Sequence, residues 1–274
     1  MYYYTSIGWA PQFKEQVQAA ITECLKVSAD CSKGPWGPIG SWDVSALTDT
    51  SLLFYRDFVP GADKYSGDIS EWDVSRVTTM SGMFHSASSF NGDISKWDVS
   101  KVNNMARIFY KVLLFNADIS KWDVSKVTDM AYMFYKASSF NADISKWDVS
   151  SVTNMPYMFY KASSFNGDIS KWAVVRATNM HHLLDGASSF TGTLCGAWVA
   201  SSTADRDAML DGSSGRLCTT STTSSKTTRA PPKRKNPRHV FDAVQCLTSL
   251  VTLYPSYYPS LLTPHLSPLT STTC

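Results

Sequence analysis

Tryptophan recurs every 25 residues through the middle of this chain, at Trp72, Trp97, Trp122, Trp147 and Trp172, with Trp42 standing 30 residues before the first and Trp198 26 after the last. A unit that short cannot enclose a core, so each copy must bury its apolar side against the next. The period therefore constrains architecture before any local propensity does. The blocks beginning at Asp118 and Asp143 differ at only four of 25 positions. Apolar columns repeat with the same period: Ile69, Ile94, Ile119, Ile144, Ile169; Val74, Val99, Val124, Val149, Val174; Met80, Met105, Met130, Met155, Met180; and two phenylalanine columns containing Phe84, Phe109, Phe134, Phe159 and Phe90, Phe115, Phe140, Phe165, Phe190. In a stack of units every such column becomes a buried ladder.

Two local patterns alternate inside each unit. From Asp93 to Val99, Ile94, Trp97 and Val99 sit among polar residues in an irregular alternation that predicts a strand of three to five residues followed by a turn. After Val127, Met130, Met133, Phe134 and Ala137 follow the i, i+3, i+4, i+7 spacing of a helix, with Thr128 and Asp129 as capping residues and Pro156 suited to a first helical turn. Parallel strands about 4.8 Å apart, with short helices on the opposite face, are the expected result.

The unit FNGDISKWDVSKV from Phe90, with MFYKASSFN from Met133, resembles the repeat of BspA-like leucine-rich-repeat surface proteins over Ser41 to Phe190. The flanks FKEQVQAAITECL and GPIGSWDVS resemble that family's leading cap, and LCGAW near Cys195 resembles its closing unit. The resemblance implies an extracellular or surface-attached protein without catalysis. The fold class expected is an α/β solenoid: a leucine-rich-repeat-like, right-handed stack of strand, turn and short-helix coils, with an N-terminal capping helix and a disordered C-terminal tail.

Four regions follow: a cap over 1–38 carrying an amphipathic helix at 11–26, the repeats over 39–190, a closing cap over 191–218, and a tail over 219–274. The helix stripe is Phe13, Val17, Ala20, Ile21 and Cys24, with Pro11 suited to its first turn. Repetition decays toward the closing cap, where Ala173 replaces the repeat's aspartate, His181 and His182 interrupt the pattern, and Trp198 with Met209 imitate one last coil. The tail holds six basic residues and one acid, and its Ser, Thr and Pro content predicts disorder.

Composition excludes several classes. With 43% hydrophobic and 13% aromatic residues the chain can bury a core, and a net charge of +2 gives no reason to expect a nucleic-acid partner. The longest apolar stretch, Val240 to Tyr254, is interrupted by Asp242 and Gln245 and is too short for a membrane span, and the first residues carry no readable export signal. No nucleophile elbow, phosphate loop or zinc-protease motif occurs, so no enzyme, cofactor or metal is expected.

Candidate sites remain in the repeated columns. Cys24 with Cys31, and Cys195 with Cys218, are each placed to staple a cap in an oxidising compartment, with buried free thiols as the alternative. The aspartate columns containing Asp93 and Asp98 need partners, available as turn N–H groups, as the lysine column, or as calcium between coils. Asn91, Asn116, Asn141 and Asn166 suit an asparagine ladder, and the tryptophans suit packing rather than sugar binding. Tyr110, Tyr135 and Tyr160, each beside a lysine, are expected at the surface. The expected binding surface is the strand face bearing Lys96, Lys121, Lys146 and Lys171. The function expected is binding or adhesion to a protein or glycan ligand by a monomer, with a structural spacer lacking a specific ligand as the alternative.

Overall fold

The structure, a computed structural model, describes residues 9–200 and 204–219. The chain divides into two units, 1–222 and 223–274, and the second lies wholly outside the described residues, as does the expected disorder of the tail beyond 219.

The helix α1 (Lys14–Leu25) buries Val17, Ala20, Ile21 and Cys24. Its first turn is closed by Gln16, whose side-chain oxygen accepts from the backbone N–H groups of Gln12 and Phe13. Phe13, expected in the buried stripe, is instead the N-cap and 65% exposed. The cap precedes the helical turn, so its side chain leaves the axis before the stripe begins.

The expected α/β solenoid of strand, turn and short-helix coils is not what this chain forms. Among the described residues the α-helices are α1 and the single turn α2 (Ala197–Ala200), and the one sheet pairs β1 (Thr193–Leu194) with β2 (Arg216–Leu217) in parallel. None of these lies in the regular repeats, which consist of turns and loops joined by single parallel bridges. The bridges link Asp49 to Thr79, Thr79 to Asn104, Asn104 to Asp129, Asp129 to Asn154, Asn154 to Asn179 and Asn179 to Asp205.

The helix fails for a reason visible in its hydrogen bonds. Met130, Tyr132, Phe134 and Lys136 donate their N–H groups to Asn154, Pro156, Met158 and Tyr160 of the next unit, at 2.7–2.9 Å. Those donors are unavailable for i−4 bonding. The alternate groups close turns instead, Met133 on Met130 and Ala137 on Phe134. Each turn has a left-handed third residue, Tyr132 at φ 58° and Lys136 at φ 56°, as a type II turn requires. Two successive four-residue turns point residues inward at i, i+3, i+4 and i+7, the same spacing as a helix face. Pro156 fits here because its position lies between two ladder donors, where no inter-unit N–H is required.

The expected strand is lost to side-chain chemistry. Asp93 and Asp98 accept from the N–H groups of Ser95 and Ser100, and the same pair recurs at Asp118 with Ser120 and Asp123 with Ser125. Such Asx turns compete with a strand ladder for the backbone donors. The same serines, through hydroxyl and backbone N–H together, hold these aspartates below the usual carboxylate range.

The apolar columns are buried throughout. In each regular unit two phenylalanines stack face to face, Phe109 on Phe115 and Phe134 on Phe140 both at 3.7 Å, and the pairs continue between units at about 6 Å, as for Phe115 and Phe140. Each large side chain so buried contributes roughly 1.5–3 kcal/mol.

Candidate functional site

The left-handed turns that replace the helix also build a surface. Because Phe109, Phe134 and Phe159 point inward, Tyr110, Tyr135 and Tyr160, which follow them, point outward and stand over one another. Tyr110 stacks on Tyr135 at 4.5 Å with the rings 1° from parallel, and Tyr135 on Tyr160 at 4.8 Å. A second file, one turn earlier, stacks Tyr132 on Tyr157 at 4.9 Å and Tyr157 on His182 at 4.8 Å.

Cations border both files. Lys111, Lys136 and Lys161 place their ammonium groups 5.3, 5.4 and 5.1 Å from the rings of Tyr110, Tyr135 and Tyr160, and the Arg107 guanidinium lies 4.8 Å from the Tyr132 ring. At exposed sites such contacts are worth about 0.5–1 kcal/mol each. Burial, then the neighbouring Tyr110 and Tyr160, pushes the Tyr135 hydroxyl up to about 12, so it stays a neutral donor.

The face ends in a groove of about 560 Å³ lined by Tyr55, Arg56, His85, Tyr110, Lys111 and Lys136, among others. His85 stacks on Tyr110 at 4.3 Å and meets Tyr55 edge-on at 4.5 Å. Burial first, then Arg107 and Lys111, holds its imidazole down to about 4 from an ordinary 6.5. The unfolded chain thus takes up a proton that the folded one refuses between those values, so stability falls as pH drops through that window. Urea midpoints at pH 7 and pH 5 are expected to differ more in the wild type than in His85→Phe, which keeps the ring stack and has no proton to bind; equal differences would remove His85 from the account.

The residues singled out from the sequence occupy separate places. Trp72, Trp97, Trp122, Trp147 and Trp172 are at most 4% exposed, and each donates its indole N–H to an isoleucine carbonyl of the preceding unit: Ile39, Ile69, Ile94, Ile119 and Ile144. Asn91, Asn116 and Asn141 each accept through the side-chain oxygen from the backbone N–H of the next asparagine, and Asn166 from Thr191, at 2.7–3.0 Å. Cys24 is disulfide-bonded to Cys31 and Cys195 to Cys218, the second directly after β1 and β2, while Cys246 and Cys274 lie outside the described residues.

Lys96, Lys121, Lys146 and Lys171 are exposed, but on turns, since no strand forms there, and Lys96 pairs with Glu71 of the previous unit at 2.8 Å. They lie apart from the groove. Sequence reasoning reached Tyr110, Tyr135, Tyr160 and their lysines but missed the second file, Arg107, Tyr132, Tyr157 and His182. The signal was their shared 25-residue column with Gly82, a residue suited to a left-handed backbone.

Among the described residues no helix is long and apolar enough to cross a membrane. A family model described as "Mycoplasma protein of unknown function, DUF285" matches residues 22–138 and, in a second overlapping stretch, 110–219. This overturns the resemblance to the BspA-like leucine-rich-repeat family, for which no model matches. No curated protein and no solved structure matches the chain.

Proposed function

Because the chain belongs to the DUF285 family, whose description names no activity, we propose a role from its own geometry: a non-enzymatic module that binds an extended acidic segment of a protein or glycan along the tyrosine–lysine face. The observation that carries this reading is the continuity of that face. The same tyrosine and lysine recur at 110/111, 135/136 and 160/161, in register with one another and with the groove at His85. Weak identical contacts add when a ligand spans several of them. Both faces of the Tyr135 ring are covered by Tyr110 and Tyr160. A ligand therefore meets ring edges, hydroxyls and ammonium groups rather than open rings, which favours charged and hydrogen-bonding partners over neutral sugars that stack on aromatics.

Near identity of the units supports a binding role over catalysis, since an active site needs a singular arrangement. The two disulfides support an oxidising location, extracellular or at the cell surface. An array of acidic peptides and of carboxylated and sulfated glycans, probed with the full chain, tests the reading. Replacing Lys111, Lys136 and Lys161 together with serine is expected to weaken the bound class at least ~10-fold and to flatten its salt dependence, because both rest on those charges. Replacing Lys96, Lys121, Lys146 and Lys171 is expected to change it less than ~2-fold, as for exposed charges outside a contact. Retention on no acidic ligand would favour a passive spacer, and loss only with the second set would return the site to the lysine column.

A further inference from the structure

The two histidines that break the repeat come together with an aspartate of the closing unit. One ligand atom from each of His181, His182 and Asp207 lies within 4.8 Å of the others. The geometry points to a binding site for a divalent first-row transition cation of the zinc class, held by these three side chains, contrary to the sequence expectation of no metal.

Four observations converge on it. First, His181 Nδ1 is buried and has no hydrogen-bond partner among the described residues; Asp207 Oδ2 lies 3.6 Å away, too far for a hydrogen bond. An orphaned imidazole nitrogen facing a carboxylate at that distance suits a cation between them, because zinc bonded at 2.0–2.2 Å sets tetrahedral ligands roughly 3.3–3.5 Å apart. Second, the Asp185 carboxylate lies 2.6 Å from His182 Nδ1. A carboxylate on one ring nitrogen orients the imidazole and leaves Nε2 as the nitrogen for the metal, the usual outer-shell arrangement of histidine ligands.

Third, the backbone is already fixed. His182 N–H donates to the Asp207 carbonyl at 2.9 Å, His181 N–H to the Asn179 side chain at 3.1 Å, and Asp207 N–H to the Asp205 side chain at 3.0 Å. Little ordering of the backbone therefore remains to be done on binding. Fourth, Tyr157 shields the pair, meeting His181 edge-on at 5.3 Å and His182 face-on at 4.8 Å. Two nitrogens and one carboxylate oxygen match a borderline cation rather than calcium or magnesium, which prefer all-oxygen sites. Three protein ligands leave a fourth position for water or for a donor from a partner. The ligands come from two adjacent units, so the ion clamps the closing unit onto the repeats.

The test uses the full chain, stripped with chelator and titrated with zinc chloride by calorimetry, with cobalt chloride as a spectroscopic probe. One equivalent should bind, the melting temperature should rise with added zinc, and cobalt should give a spectrum without the thiolate charge-transfer band. Asp207→Asn, at an exposed side chain, and His181→Ala should each weaken binding 10- to 100-fold. Replacing His239 and His265 with alanine and Cys246 and Cys274 with serine should leave it unchanged. The site is overturned if zinc binds without saturating near one equivalent, if binding survives His181→Ala combined with His182→Ala, or if it disappears with the four tail replacements.

Discussion

Trp122→Ala is expected to lower the free energy of unfolding by about 3–5 kcal/mol, the usual cost of deleting a large buried ring that its surroundings cannot refill. The indole is 4% exposed, lies 6.2 Å from Phe109 of the preceding unit, and donates its N–H to the Ile94 carbonyl at 3.1 Å. Its neighbours above and below belong to nearly identical units, each pinned by its own bridge, so collapse into the cavity is resisted from both sides. Trp122→Phe separates packing from hydrogen bonding. The Ile94 carbonyl also accepts the backbone N–H of Trp97, so losing the indole leaves it satisfied, and that variant is expected to lose only about 1 kcal/mol for the bond plus the smaller ring's lost contacts. Urea denaturation followed by tryptophan-independent circular dichroism measures both. A loss below about 1 kcal/mol in Trp122→Ala would mean the tryptophan column is not what joins the units, since native stability itself is only about 5–15 kcal/mol.

The identity of the buried residues was legible in the sequence, and the backbone that buries them was not. Every residue of the Ile, Val, Met and Phe columns lies in the core, because a column that is apolar in all copies has nowhere else to go. The spacing of Met130, Met133, Phe134 and Ala137, however, is shared by a helix and by two successive type II turns. Periodicity alone cannot separate them. Glycine at Gly82 and Gly186 could have, since it falls in the two columns whose other members, Arg107, Tyr132, Tyr157 and His182 in one and Ser86, Lys111, Lys136 and Lys161 in the other, all take positive φ. An ordinary helix has no use for such positions. The strand reading failed for a similar reason: polar residues interleaved with Ile94, Trp97 and Val99 suit the outer face of a strand as well as the Asx turns that Asp93 and Asp98 close on Ser95 and Ser100. At the candidate site, the half-buried tyrosines and their lysines were visible as a repeated pair. The groove was not, because it depends on His85 and Tyr55, which share the tyrosine column but break its repeated pair with lysine, and the pairing of His181 with Asp207 crosses from one unit to the next.

Excising one whole repeat, Asp118 to Ala142, is expected to leave a folded protein, whereas excising Asp118 to Met130 is expected to leave none. In the first variant Trp147 follows Trp97 by the native interval, so its indole meets the Ile94 carbonyl as it now meets that of Ile119. Asn154 takes the bridge position of Asp129 against Asn104, and Asn166 takes the Asn116 side chain in place of Asn141. Only one unit and one interface between units are lost, and in a linear array stability is close to a sum of such terms. The urea slope should fall by roughly an eighth, in line with the surface no longer exposed on unfolding, and the transition should stay cooperative. In the second variant the next tryptophan arrives half a turn cycle out of register. The N–H groups of Met105, Arg107, Phe109 and Lys111, which now reach the carbonyls of Asp129, Ala131, Met133 and Tyr135, then lose those partners, and buried backbone left unpaired costs several kcal/mol per unit. Circular dichroism and size exclusion decide between the two outcomes. If the whole-repeat excision unfolds while the partial one folds, the 25-residue bridges are not the joints of this chain, and its core must be held by something other than neighbour-to-neighbour registry.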